Sequence, residues 1–259
     1  MIRTESLLDA LGASDARMVT FVGAGGKTSA ILRLADELVA RGRTVIVTTT
    51  TLVGERFMER ASTEIFFDEG TRAVEPILVR SGSAFLHAGL RSDGKYAGVP
   101  PGLLDVLLDG RCADAILVEG DGARGLPIKM PDVHEPVIPS RSNLVVPVVG
   151  MDALDRPVAD GSVHRPDLFG GLGTGGFVTP DTVVALLGSS SGGMKSVPAT
   201  ATVRPLLNKT ALPGGERAES IARALLLSAP VALDRAVSGN VRTGGFRVYF
   251  RREQRRGER

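Results

Sequence analysis

Short β-branched runs alternate along the chain with stretches of helical hydrophobic spacing. Met18–Val22 (MVTFV) is the first such run, and it meets a glycine-rich loop at once; a short apolar run bounded by glycine reads as a buried strand. The next apolar positions are Ile31-Leu32, Leu34-Ala35 and Leu38-Val39, an i, i+3, i+4, i+7 stripe. That spacing predicts an amphipathic helix buried along one side. Gly42 is placed to end it, and Thr44–Thr48 (TVIVT) reads as a second strand, which completes a βαβ unit.

The alternation continues less regularly. Ile65-Phe66-Phe67 and Ala84-Phe85-Leu86 are short strand candidates with no clean helical pattern between them. Pro100–Leu108 reads as a helix opened by proline and stopped by Gly110. Ala115–Val118 (AILV) is a buried strand candidate that runs into EGDGARG, and Leu144–Val149 (LVVPVV) is another, which Pro147 demotes towards an edge or a strand end. A glycine-dense stretch from Gly170 to Gly176 precedes the helix-like TPDTVVALL, whose Thr179, Pro180 and Asp181 suit a helix start. Residues 188–196 (GSSSGGMKS) read as a mobile loop. Val203–Leu207 and Val231–Leu233 are late strands around a helix over Arg217–Leu227, and Arg242–Arg251 suits a terminal hairpin. The pattern predicts an α/β fold with a mainly parallel sheet flanked by helices. Residues 1–245 form one domain with an irregular C-terminal part on this reading, and residues 246–259 a basic tail.

Composition narrows the class. With 259 residues, 43% hydrophobic and 23% charged, the chain is an ordinary globular one. It has no apolar run long enough for a membrane helix, and its first residues lack the apolar core of a secretory signal. Cys112 is the only cysteine, which excludes an internal disulfide and any multi-cysteine metal site, and points to a reducing cytoplasm. The formal charge is +2, but from Phe246 onward six arginines face only Glu253 and Glu258. No tryptophan and only two tyrosines accompany them, so there is no stacking platform for nucleic acid. Neither nucleic acid nor a membrane is an expected partner.

The chemistry concentrates at Gly23-Ala24-Gly25-Gly26-Lys27-Thr28, followed by Ser29. A strand, a glycine turn, a lysine and a hydroxyl at a helix start make an anion site. Glycines let backbone N–H groups turn inward, the helix terminus adds partial positive charge, Lys27 adds a full one, and Thr28 can ligate Mg²⁺. The motif is shorter than a Walker A loop, which would have glycine where Phe21 stands. It resembles the loop of the ATP-dependent Mur-type amino-acid ligases, a P-loop NTPase-like arrangement. A dinucleotide fingerprint fits less well, since Thr28 replaces its third glycine and Thr48–Thr51 occupy the strand end where a ribose-binding acid would stand.

A second half-site is expected at the end of a neighbouring strand, and AILV followed by Glu119-Gly120-Asp121 fits. Glu119 and Asp121 are candidates to hold Mg²⁺ with Thr28, or to orient a nucleophile. Lys27, Glu119 and Asp121 are thus the candidate catalytic residues. Arg124 and Lys129 follow on the same loop and can meet an anionic substrate. His134-Glu135 lie in a proline-punctuated segment that suits a pocket wall. Asn208-Lys209-Thr210-Ala211 resembles the base-reading N-K-x-D motif of GTPases, but Ala211 stands in place of the specificity-giving aspartate, so ATP ranks ahead of GTP. Asp152 is a candidate base, ribose or partner contact, and Cys112 a packing residue.

FVGAGGKTS, VTTTT, VEGDGARGLPIKMPDVHEPVIP, VVGMDAL and LLNK follow in this order. Together they resemble the selenium-dependent molybdenum hydroxylase accessory family, the YqeC-like proteins. The resemblance implies a cytoplasmic P-loop-like protein that assists maturation of molybdenum-cofactor hydroxylases, with the hydroxylase or its cofactor as client. It supports Gly23, Gly25, Gly26, Lys27 and Thr28 for phosphate and Glu119 and Asp121 for the acidic motif. It also adds interest to Thr48, Thr49, Lys129, His134, Glu135 and Asn208. Two positions depart from the pattern, Asp155 for glycine and Ala211 for an acid. The leading expectation is an ATP- and Mg²⁺-dependent maturation enzyme; a non-catalytic nucleotide- or cofactor-binding chaperone and an NAD(P)-dependent oxidoreductase follow.

Overall fold

A computed structural model describes residues 1–54, 63–66, 74–172, 174–210, 215–228 and 233–251. Its centre is a sheet of eleven strands in three layers with helices. The strands are β1 (Ile2–Thr4), β2 (Met18–Gly23), β3 (Val45–Thr49), β4 (Glu64–Phe66), β5 (Ser83–His87), β6 (Ala115–Glu119), β8 (Leu144–Gly150), β10 (Thr202–Val203), β11 (Leu206–Asn208), β12 (Arg235–Gly239) and β13 (Phe246–Phe250). The order is β1-β13-β12-β11-β8-β2-β6-β3-β5-β4, with β10 beside β8. Only β12, β13 and β1 run antiparallel to a neighbour; the other pairings are parallel. A separate pair, β7 (Ile128–Lys129) and β9 (Val163–His164), lies in the connections.

The apolar stripe of the sequence becomes α2 (Lys27–Val39), which buries Ile31, Leu34, Ala35 and Leu38 against Val19, Phe21, Val47, Leu117 and Val146. Helix α1 (Leu7–Leu11), which the sequence pattern does not announce, joins α2 on that face. Its first amides are capped by Glu37: Leu7 N and Leu8 N donate to the carboxylate at 3.0 and 2.7 Å. The other face is covered by α3 (Val74–Ser81) and α4 (Pro101–Asp109) over the β5–β3–β6 side, and by α5 (Pro180–Gly188) and α6 (Glu216–Ser228) over the β11–β12 side. Thr179 caps α5 in a reciprocal pair with Thr182. Cys112 packs against the core under α4, as expected.

Two expectations are corrected. Pro147 lies inside a central strand, since β8 sits between β2 and β11. Alternation explains the tolerance: the Val148 carbonyl bonds the amide of Ala24 beyond β2, whereas the Val145 carbonyl bonds Arg204 on the other side. Pro147 therefore turns its missing N–H towards the place where β10 ends at Val203 and β11 begins at Leu206. The segment before β5 also contains a helix, α3, whose Pro76 stands in the first turn, where an amide has no helical acceptor to lose. Residue 67 and residues 231–232 of the expected strands lie outside the described residues. The serine-glycine loop folds back on the end of α5, with Gly193 N donating to the Leu186 carbonyl at 2.9 Å.

The basic segment does not begin as a tail. Phe246–Phe250 is β13, hydrogen-bonded to both β12 and β1, and it buries Phe246, Val248 and Tyr249. Residues 252–259 lie outside the described residues. Each buried side chain of that size contributes about 1.5–3 kcal/mol, and a domain's net stability is only about 5–15 kcal/mol. A chain ending at Gly245 should therefore lose its cooperative thermal transition in calorimetry. A transition with an unchanged midpoint would place the domain boundary at 245 after all.

Candidate functional site

The carboxyl ends of β2, β6, β8 and β11 converge on the loop between β2 and α2. Gly25 has φ 87°, and a Cβ there would strike the Gly150 amide and the Pro127 carbonyl; Gly26, the N-cap of α2, has φ 118°. Only glycine meets both demands, a left-handed backbone and a neighbour too close for a side chain. Loop and neighbours are stitched together. Ala24 N donates to Val148 O at 2.9 Å, Gly25 N to Leu126 O at 3.0 Å, and Gly150 N to Pro127 O at 2.8 Å. Gly23 N donates to both oxygens of Asp121 at 3.0 and 3.1 Å.

This corrects the expected inward-turned nest. The amides of Gly23, Ala24 and Gly25 already have protein acceptors. Gly26, Lys27, Thr28 and Ser29 remain: their amides bond no acceptor among the described residues, and the first helical bond is Ala30 N to Gly26 O. The donors available to an anion are therefore these four at the positive end of a thirteen-residue helix.

Lys27 is 4% exposed and Asp121 1%. Lys27 Nζ donates to Gly23 O at 2.5 Å and stands 3.2 Å from Asp121 and 3.8 Å from Glu119. Thr28 Oγ1 donates to Glu119 Oε2 at 2.9 Å. On its other oxygen Asp121 meets Lys129 Nζ at 3.0 Å, and Lys129 also donates to Gly122 O at 2.7 Å and Glu135 at 2.6 Å. Glu135 accepts from Arg165 at 2.5 Å, and Arg165 pairs with Asp132 at 3.3 Å. One chain of alternating charge thus runs from the head of α2 to the surface.

The charges are not equally compensated. Burial works against the Lys27 ammonium, but Asp121 and then Glu119 outweigh it, so Lys27 stays protonated. Lys27 lies closer to Asp121 than to Glu119, and burial consequently dominates at Glu119, pushing its carboxyl above the ordinary range against the pull of Lys27 and Thr28. At Glu135 burial also opposes the charge, but hydrogen bonds from Arg165 and Lys129 overcome it and hold the carboxyl below the ordinary range.

Other candidates fall in different places. Asn208 is buried, donates to Gly25 O at 2.8 Å and accepts from Val241 N at 3.1 Å. One end of its amide braces the loop and the other holds the segment after β12, so neither end is free to read a base. Thr48 and Thr49 are buried, and their hydroxyls bond Leu86 O and Glu119 O at 2.8 and 3.0 Å, tying strands rather than facing a ligand. Arg124 and His134 are exposed, with no ion pair or side-chain hydrogen bond among the described residues; nothing builds them into the site. Asp152 follows β8 and pairs with Lys209 at 2.8 Å. Ala211 lies outside the described residues. Asp155, the departure from glycine, adopts φ 64°, a left-handed conformation that glycine takes without strain, and pairs with Arg217.

Sequence reasoning missed Arg165. It stands thirty residues beyond Glu135, in a segment without periodic pattern, and only the β7–β9 pairing of Ile128-Lys129 with Val163-His164 brings it in. On the sheet face away from α2, a narrow cleft is lined by Val22, Pro147, Leu186 and Leu187 together with Asp121 and Lys129. Among the described residues no three His, Cys, Asp or Glu side chains make a metal cage.

Breaking this network has signed consequences. Lys129→Met leaves Asp121 and Glu135 without their shared ammonium, and urea unfolding should show a loss of about 3–5 kcal/mol. Glu119 has a folded-state pKa above its unfolded one, so its ionised form opposes folding, and that penalty fades as pH falls through the raised value. Glu135 has the reverse shift, and its contribution is present above the ordinary carboxylate range and lost as pH falls through the depressed value. Above the raised Glu119 value, Glu119→Gln should be more stable than wild type and Glu135→Gln less stable. The Glu119→Gln gap should narrow as pH falls through that value and close towards the ordinary carboxylate range. Equal signs for the two variants would contradict this charge assignment.

Residues 19–167 match the profile of a family described as YqeC protein. A curated relative, the uncharacterized protein YqeC of Escherichia coli (strain K12), is 37% identical over 188 residues, which span 70% of this chain and 71% of the relative. The region matched by the profile holds the glycine loop, Glu119, Asp121, Lys129, Glu135 and Arg165, and the chain belongs to the YqeC family.

Proposed function

We propose that the chain binds a nucleoside triphosphate with Mg²⁺ at the Gly23–Thr28 loop and hydrolyses it or transfers its terminal phosphate. The observation that carries this reading is the head of α2. There the Thr28 hydroxyl lies 2.9 Å from a buried carboxylate on the adjacent strand end, beside a buried lysine and four amides that have no acceptor among the described residues. On this reading the fold is P-loop NTPase-like with a short, Mur-ligase-like loop. The likeness of the loop favours ATP, and the family resemblance supplies a molybdenum-cofactor hydroxylase, selenium-dependent or not, or its cofactor, as client.

The chain's own residues have definite tasks in such a site. The amides of Gly26 to Ser29 donate to phosphate oxygens, and Lys27 Nζ turns from the Gly23 carbonyl to a phosphate oxygen, where it offsets charge that grows during transfer. Thr28 and Glu119 are hard oxygen donors that fit Mg²⁺, which prefers carboxylates together with water and phosphate oxygens. Bound there, Mg²⁺ would neutralise charge on the phosphates. It would also favour the ionised form of Glu119, the carboxylate that burial leaves under-compensated.

A second reading, a chaperone that binds nucleotide without turning it over, has its own support. Asp121 accepts from Gly23 N and stands between two lysines, so it is not free to take a proton from a nucleophile. The NAD(P) alternative has less, because the end of β3 offers only threonine hydroxyls where a ribose-binding acid would stand.

Calorimetry with ATP, GTP and NADPH, with and without Mg²⁺, tests the reading. Mg²⁺-dependent triphosphate binding should fall about ten- to hundred-fold in Lys27→Ala, the loss of one charged hydrogen bond. Thr28→Ala should lose most of the Mg²⁺ dependence. Turnover then separates the enzyme from the chaperone, and triphosphate binding that Lys27→Ala leaves unchanged would refute both.

A further inference from the structure

The two flanks of the loop differ chemically. On the β6 side stand Glu119 and Asp121. On the opposite side stand Asp152, two residues past the end of β8, and Lys209, directly after β11, joined at 2.8 Å through one oxygen of the carboxylate. The pair lies against the loop. The point where a Gly150 side chain would begin is 3.2 Å from the Gly25 Cα and closer still to Asp152 Oδ1. That Oδ1 has no hydrogen-bond partner among the described residues. Lys209 holds φ 60°, a conformation that costs a non-glycine residue free energy and collects at functional sites. Both side chains are part-exposed, at 41% and 38%. Asn208, the neighbour that the sequence nominates for a base, is committed to the loop.

Given the nucleotide reading above, on which this inference rests, we infer that Asp152 and Lys209 form its nucleoside subsite, with the Asp152 carboxylate accepting hydrogen bonds from the ribose hydroxyls. Thr28 and Glu119 fix the terminal-phosphate end on the β6 flank, so the chain of phosphates leads towards β8 and β11. A carboxylate is acceptor-only and requires a ligand that brings donors. So close to the loop, the first donors a nucleotide presents are those of the ribose, which precede the base. Lys209 keeps the carboxylate from repelling the phosphates, and its methylenes offer an apolar strip for the base edge.

The test uses full-length protein with Mg²⁺ and five probes: inorganic tripolyphosphate, ATP, GTP and the 2′,3′-dideoxy forms of both. Wild type should bind at least one ribonucleotide tenfold or more tighter than its dideoxy form, a charged hydrogen bond being at stake. Asp152→Ala and the near-isosteric Asp152→Asn should erase or sharply reduce that preference while leaving tripolyphosphate affinity unchanged. The inference is overturned if wild type does not distinguish the dideoxy forms, if the Asp152 variants retain the full preference, or if they weaken tripolyphosphate equally. In those cases the pair only shapes the loop or takes no part. Failure of the underlying reading looks different: no probe binds, or tripolyphosphate binds equally to Lys27→Ala.

Discussion

The carboxylate of Asp121 receives the amide of Gly23 on both oxygens and stands 3.2 and 3.0 Å from two buried lysines, Lys27 and Lys129. An isolated carboxylate at this depth would carry a desolvation penalty of several kcal/mol, and so would either lysine. None of the three is tolerable without the others. The loop at the end of β2, the helix that starts at Lys27 and the connection that carries Lys129 are therefore fixed to one another through a single side chain. Glu135 and Arg165 extend the arrangement to the surface, which ties the proline-punctuated segment to the same point.

Packing imposes a second constraint on the same loop. The segment over Leu126 and Pro127 presses its carbonyls onto Gly25 and Gly150, and the ends of β2 and β8 approach so closely that neither glycine can carry a side chain. A loop built this way has few free donors, because its close approaches are made by backbone hydrogen bonds. What it presents to an anion is the helix terminus behind it. The short glycine spacing and the narrow set of free amides are thus two aspects of one geometry, with Asn208 closing it from β11.

Local pattern carried far in the sequence where one element decides the outcome. The stripe from Ile31 to Val39 is buried by the sheet beneath it, and the runs at Met18, Thr44 and Ala115 are buried on both faces; the helical spacing of the one and the unbroken apolar character of the others state that directly. Glu119 and Asp121 were legible because a parallel strand delivers whatever follows it to the sheet's carboxyl edge. Pro147 misled because the missing neighbour on its N–H side is a property of β10 and β11, more than fifty residues away. Asn208 suggested a ligand because its sequence context is that of a base reader, while its actual partners, Gly25 and Val241, are set by tertiary contact. Arg165 gave no signal, for its role exists only once β7 and β9 have paired.

Two lysines on one carboxylate also bear on how such a site can respond to a ligand. For Lys27 to meet a phosphate it must give up part of its contact with Asp121 and with the Gly23 carbonyl. With a single lysine, that step would leave Asp121 buried and uncompensated, and the ligand would have to offset the penalty. Lys129, with no exposed side-chain surface, stays at 3.0 Å and keeps Asp121 paired throughout. Glu119 is in the opposite condition: its ion-pair partner Lys27 stands back at 3.8 Å and a hydroxyl holds it, so it is the carboxylate that gains most from an arriving divalent ion. On the proposed reading, the protein separates the two tasks. Asp121 holds the loop in place regardless of ligand, and Glu119 supplies the unbalanced charge that makes the arrival of metal and phosphate favourable together.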